Sequence, residues 1–217
     1  MTTEFSSLNL HPDLVQAVTD LGYSEPTPIQ AAIIPSMVAG VDVIGQAQTG
    51  TGKTAAFALP ILNNLAIGID QMKDGSLVQA LVVVPTRELA IQVAKAIHGY
   101  GKTRGARVLP VYGGSSYSSQ INRIRRGVDV IVGTPGRLLD LVNKKNILDL
   151  SEVRTVVLDE ADEMLSMGFI DDMEAILKET PETRQTALFS ATMPTPIRRL
   201  ADKYMRQPQS FTMSANR

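Results

Sequence analysis

The chain has 217 residues, 44% of them hydrophobic and 20% charged, with a formal net charge of −1. That is the size and balance of one large globular domain or two small ones, and it excludes nucleic-acid binding by bulk charge, so any such contact must come from local cations and backbone amides. There are no cysteines, which excludes disulfides, thiolate metal sites and a cysteine nucleophile.

The N-terminus lacks the basic start and apolar core of a signal peptide, and no apolar run approaches the roughly 20 residues that span a bilayer, so a cytoplasmic protein is expected. The stretch up to about Pro35 is mixed and rich in turn residues. Within it Leu14, Val18 and Leu21 share a helical face, and Gly22 closes that helix. His11 and His98 lie far apart in sequence and form no metal-like cluster. From there on the chain alternates. Short apolar runs at 41–44, 80–84, 108–111, 128–132, 153–158 and 186–189 predict buried strands. Helical patterns lie between them, beginning near Lys53, Ser118, Gly136, Ile170 and Pro196, and the clearest places Leu89, Ala90, Val93, Ala94 and Ile97 on one face. Near-continuous apolar strands alternating with helices predict an α/β domain: a mostly parallel central sheet with helices on both faces, in three layers.

The segments at the strand ends carry the chemistry. "QAQTGTGKT" follows the first, "PTRELA" the second, "YGG" the third, "GTPGR" the fourth and "DEAD" the fifth, while "SAT" spans the end of the sixth. In parallel α/β sheets ligands bind beyond the carboxyl ends of the strands, so six such segments predict one extended active surface. In the first, Gly50 and Gly52 let backbone amides turn toward a phosphate, Lys53 can reach the β- and γ-phosphates, and Thr54 can offer its hydroxyl to Mg²⁺. Ala47 stands where the general phosphate-loop pattern asks for glycine. The helix starting here adds its positive end. The second metal contact should be an acid at the end of an apolar strand, and Asp159 is placed for it. Glu160 is the natural base for a water attacking the γ-phosphate.

In this order the motifs resemble the DEAD-box ATP-dependent RNA helicases, bacterial ones above all in the wording of "DEADEMLSMGF" and "LFSATMP". The stretch "GYSEPTPIQ", Gly22 to Gln30, resembles that family's Q motif, and Phe5 stands 17 residues before Gly22, where the family places an isolated aromatic. The resemblance implies a RecA-like P-loop NTPase domain over residues 36–217, with residues 1–35 as a Q-motif segment packed on it. It implies that Gln30 pairs with the adenine edge, as an amide can with N6 and N7, and that Phe5 stacks on the base. Tyr23, Gln48, Thr49, Gly50, Thr51, Gly52, Lys53 and Thr54 would complete the ATP contacts, with Lys53, Asp159 and Glu160 catalytic and Thr54 and Asp159 on Mg²⁺. Pro85, Thr86 and Arg87, Gly113 and Gly114, and Thr134, Pro135, Gly136 and Arg137 would face RNA, reading its backbone rather than its bases. Ser190 and Thr192 of "SAT" would bond to Asp162 and couple hydrolysis to strand separation.

The basic runs Arg123, Arg125 and Arg126, Lys144 and Lys145, and Arg198 and Arg199 read as solvated faces. The family joins two RecA-like domains, and no glycine-flanked arginine pair that would supply arginine fingers occurs here. The expectation is therefore an N-terminal domain, monomeric by itself, that binds adenine nucleotides but works with a C-terminal RecA-like partner domain of the same protein. Two other readings stay open: a stand-alone small-molecule kinase, against which counts the lack of an arginine-rich lid, and a nucleotide-gated RNA clamp.

Overall fold

The computed structural model describes residues 3–66, 77–144 and 147–213; Lys145 and the last four residues lie outside them. Among the described residues seven strands form one sheet: β1 Val43–Gln46, β2 Ala80–Val83, β3 Val108–Val111, β4 Val130–Gly133, β5 Thr155–Leu158, β6 Gln185–Ser190 and β7 Gln209–Thr212. Their order is β3-β4-β2-β5-β6-β1-β7 and every pairing is parallel. All the carboxyl ends therefore meet at one edge of the sheet. The helices are α1 Pro12–Asp20, α2 Pro28–Val38, α3 Lys53–Asn64, α4 Arg87–Gly101, α5 Tyr117–Arg126, α6 Pro135–Leu139, α7 Ala161–Ser166, α8 Ile170–Lys178 and α9 Thr195–Tyr204.

The apolar strands are continuous because each residue has a core to enter. Along β2, Ala80 and Val82 face one core and Leu81 and Val83 the other; along β6, Ala187 and Phe189 face the first and Leu188 the second. Helices α1 to α4 fill the first core and α5 to α9 the second, which gives the three layers. Packing at the first is close. The Phe57 and Phe189 rings meet edge to face with centroids 5.4 Å apart, and a Cβ at Gly45 would lie 2.7 Å from the Phe189 ring. Only glycine fits there.

Several expectations change. The first helix is α1, but its buried face is Leu14, Ala17 and Val18; Leu21 is its C-cap and 56% exposed. The turn-rich stretch before Pro35 contains α2, which runs past Pro35 and buries Ile29, Ile33, Ile34 and Met37 in the first core. The boundary expected near residue 35 thus falls inside a helix. Strand β7 adds a seventh member at the sheet's edge, and Pro110, which has no N–H to give, sits in the other edge strand, β3.

Candidate active site

Strand order divides the edge into two halves. β5, β6 and β1 are neighbours and carry the phosphate loop, "DEAD" and "SAT"; β3, β4 and β2 are neighbours and carry "YGG", "GTPGR" and "PTRELA".

In the first half, the loop from Ala47 to Gly52 leads into α3. Gln48, Thr49 and Gly50 are exposed, and Thr51 and Thr54 half-buried. Gly50 has φ of +88° and Gly52 of +84°, a region that a Cβ disfavours. Gly52 is also crowded: an added Cβ would lie 2.6 Å from Gln30 Nε2 and 2.8 Å from Thr27 Oγ1. Those two residues form a capping box at the start of α2, and Gln30 Nε2 also donates to the Gly52 carbonyl at 3.1 Å. Gln30 is buried, and it ties α2 to the phosphate loop.

Lys53 is buried, and its Nζ lies 2.8 Å from Asp159 Oδ1 and 3.5 Å from Glu160 Oε1. Asp159 is wholly buried, and among the described residues neither of its oxygens meets a donor in hydrogen-bond geometry. Lys53 compensates Oδ1 by charge; Oδ2 is left uncompensated. Burial pushes the Asp159 carboxyl above the usual range, with Lys53 pulling against it. A buried carboxylate oxygen with no donor, beside a phosphate loop, fits a cation such as Mg²⁺, which takes one or two carboxylates and completes its shell from phosphate and water. Glu160 adopts a left-handed conformation, φ 54° and ψ 51°, at the N-cap of α7. Strain in a non-glycine residue gathers at functional positions. One turn on, the Glu163 carboxyl is pushed up to about 7, first by a hydrogen bond with Glu160 and then by burial and the neighbouring negative charges. Lys53, Glu160, Asp162, Glu163 and Thr192 line one cleft of about 550 Å³.

A latch closes the side of this cleft. Ser190 Oγ accepts from the Asp162 N–H at 3.1 Å, and Asp162 Oδ2 accepts from both the N–H and hydroxyl of Thr192, at 3.1 and 2.9 Å. Burial opposes ionisation of Asp162, but the hydrogen bonds from Thr192 and Ser190 outweigh it and hold the carboxyl below its usual range. The Ala47 N–H donates to the Ser190 carbonyl and Gln46 Nε2 to that of Ala191, so the same segment touches the phosphate loop.

In the second half, Thr86 caps α4 by accepting from the Leu89 N–H, Pro85 is buried, and Arg87 is exposed with its guanidinium 5.0 Å from the centre of the Tyr112 ring. Gly113 and Gly114 are exposed beside it, Gly114 with φ of +78°. Thr134, half-buried, and Pro135, buried, start α6, with Gly136 exposed. Arg137 lies 4.1 Å over the Tyr117 ring and donates to Gln120 Oε1 at 3.1 Å. Arg123, Arg125, Arg126, Arg198 and Arg199 are exposed, and Arg198 Nε donates to the Met193 carbonyl.

The sequence pattern of the DEAD/DEAH box helicases matches residues 27–200. The chain belongs to the DEAD/DEAH box helicase family. Over 213 residues it is 54% identical to the DEAD-box ATP-dependent RNA helicase CshA of Bacillus cereus, covering 98% of this chain and 39% of that protein. Over 212 residues it is 55% identical to the ATP-dependent RNA helicase DeaD of Mycobacterium tuberculosis, covering 97% of this chain and 36% of that protein. It thus spans less than half the length of these relatives. A crystal structure of a DEAD box protein from Methanococcus jannaschii superimposes with a TM-score of 0.88 at 38% identity, over 96% of this chain and 55% of that one. The fold is that of a RecA-like DEAD-box domain.

Two aromatics in this DEAD-box domain differ sharply. Phe5, expected to stack on adenine, is 4% exposed and packed in the first core with Leu8 and Leu14. Tyr23, at the head of the Q-motif stretch, is 47% exposed. Sequence reading passed over Glu163, Tyr112, Tyr117 and Gln120. Their signal was adjacency: each stands within a turn or two of a motif residue.

Proposed function

We propose that this chain is the ATP-binding, N-terminal RecA-like domain of a cytoplasmic RNA helicase. The observation that carries this reading is the buried Lys53–Asp159 pair, with Asp159 Oδ2 uncompensated, at the foot of a glycine loop. Lys53, held between Asp159 and Glu160, binds the β- and γ-phosphates. Backbone amides of Gly50 to Lys53 and the start of α3 bind the rest of the phosphate chain. Thr54 and Asp159 would hold Mg²⁺, which when bound supplies charge stabilisation to the phosphates. Glu160 accepts a proton from the water that attacks the γ-phosphorus, the bond to the bridging oxygen breaks, and ADP and phosphate leave. Gln30 reads the adenine edge with the hydrogen-bonding capacity its protein partners leave, and Tyr23 is the aromatic available to the base. RNA lies along the Arg87, Gly113–Gly114 and Arg137 half, contacted through its backbone, and the Asp162–Thr192 latch, within the nucleotide half, couples hydrolysis to strand separation.

Base choice tests this. The chain is expected to bind ATP more tightly than GTP in a direct titration. Gln30→Glu keeps an acceptor for the Thr27 N–H but loses the Nε2 donor, and should erase the preference. Equal affinity of the unaltered chain for both nucleotides would overturn the Q-motif assignment.

A further inference from the structure

The two arginines of the RNA half are held without a carboxylate, unlike the ion-paired cations. Arg107 pairs with buried Asp129, Lys144 with Asp140, and Lys178 and Lys203 with Glu174. Arg87 and Arg137 have no carboxylate within ion-pair distance among the described residues; each lies over a tyrosine ring instead, Arg87 on Tyr112 at 5.0 Å and Arg137 on Tyr117 at 4.1 Å. The two pairs are joined. Gln120, buried on α5, accepts from Arg137 NH1 through Oε1 and donates through Nε2 to the Tyr112 carbonyl at 3.2 Å. Arg137 NH1 also donates to the Ser115 carbonyl at 3.5 Å. One segment, Tyr112 to Gln120, thus braces both guanidinium groups with rings, a neutral amide and a carbonyl. A carboxylate would fix an arginine equally well but would cancel its charge. A ring face and an amide limit its motion and leave the positive charge for a phosphate.

We propose that Tyr112, Tyr117 and Gln120 are positioning residues that hold Arg87 and Arg137 in place as uncompensated cations for the RNA backbone. This rests on the RNA-facing role proposed above for the two arginines. No contact of Tyr117 or Gln120 with RNA is needed; they act through Arg137.

The test is a double-mutant cycle read by affinity for a fluorescent single-stranded uridine oligomer over a series of salt concentrations. Tyr117→Leu should weaken binding about two- to five-fold, the size of an exposed cation–π contact, and should make no further difference in an Arg137→Ala background. Tyr117→Phe, which keeps the ring, should bind like the parent and guards against a folding defect. Arg137→Ala should flatten the dependence of log affinity on log salt by about 0.7, the loss of one single-strand phosphate contact. If Arg137→Ala lowers affinity but Tyr117→Leu is silent, or is equally harmful without Arg137, or if Tyr117→Phe is as harmful as Tyr117→Leu, the brace is overturned and the RNA role of Arg137 stands. If Arg137→Ala and Arg87→Ala both bind unchanged, the RNA role fails and the brace falls with it.

Discussion

At the residue scale, the role proposed for Glu160 is set against stability. A left-handed conformation disfavours any residue with a Cβ by roughly 1–2 kcal/mol relative to the ordinary helical region, and Glu160 holds one at φ 54°. Glu160→Gly should therefore be more stable than Glu160→Ala by about 1 kcal/mol in urea unfolding, the reverse of their order inside a helix. Both should lose hydrolysis, and an alanine variant as stable as the glycine one would show that the backbone stores no strain. Glu163 adds a pH effect. Its carboxyl is raised to about 7 beside Glu160. A raised carboxyl is protonated in the folded state below that value, and the stability it contributes is present at acid pH and lost as pH rises through about 7. The charge that appears then faces the cleft that would take a triphosphate. Nucleotide affinity should fall about three-fold between pH 6 and 8 from this charge, and Glu163→Gln should remove that part. Comparing the two profiles cancels the titration of the nucleotide itself. Identical profiles would exclude the effect.

At the element scale, the latch between the start of α7 and the end of β6 depends on one carboxylate. Thr192→Val removes the hydroxyl donor at 2.9 Å and keeps the backbone donor at 3.1 Å, so it should destabilise the domain by about 1 kcal/mol at neutral pH. Asp162 has a lowered pKa; its contribution is present above the ordinary aspartate value and lost as pH falls below about 4. The gap between parent and variant, measured by urea unfolding, should close over that acid range. A gap that persists in acid would point to the methyl and hydroxyl packing of Thr192 rather than to Asp162. Legibility also varies by element. Six strands are legible because burial on both faces turns them into apolar runs, as in Ala80–Val83 and Thr155–Leu158. β7 is not, since Gln209, Ser210 and Thr212 are exposed and only Phe211 is half-buried; nothing but pairing with β1 makes it a strand. α2 was hidden by its two prolines and by burial on nearly every side, which erases a one-sided pattern. The phosphate loop and "DEAD" were legible in place and order, because their chemistry lies in the residues themselves. The inward turn of Phe5 and the ring-stacked arginines were not, because both depend on which strands become neighbours.

At the scale of the whole molecule, the sheet order puts the proposed nucleotide half and the proposed RNA half on one edge, and the first half is short of positive charge for hydrolysis. Among the described residues lining the cleft Lys53 is the one cation, and it already faces Asp159 at 2.8 Å and Glu160 at 3.5 Å. Phosphoryl transfer spreads negative charge over three equatorial oxygens and both in-line oxygens, and an added arginine is worth roughly 10³- to 10⁵-fold in related nucleotide hydrolases. The chain covers 39% of the length of its Bacillus cereus relative, and a protein of that length has further residues to provide such a group. With saturating ATP, Mg²⁺ and RNA, this chain is therefore expected to turn over at least about 10³-fold more slowly than a protein of the relatives' full length, while binding adenine nucleotide with similar selectivity. It should release no strand from a short RNA duplex by itself. Steady-state phosphate release and a strand-displacement assay on the two proteins decide the matter together. Equal turnover that Glu160→Gln leaves intact would place the chemistry outside this cleft, whereas equal turnover abolished by Glu160→Gln would show that Lys53 and a bound metal suffice.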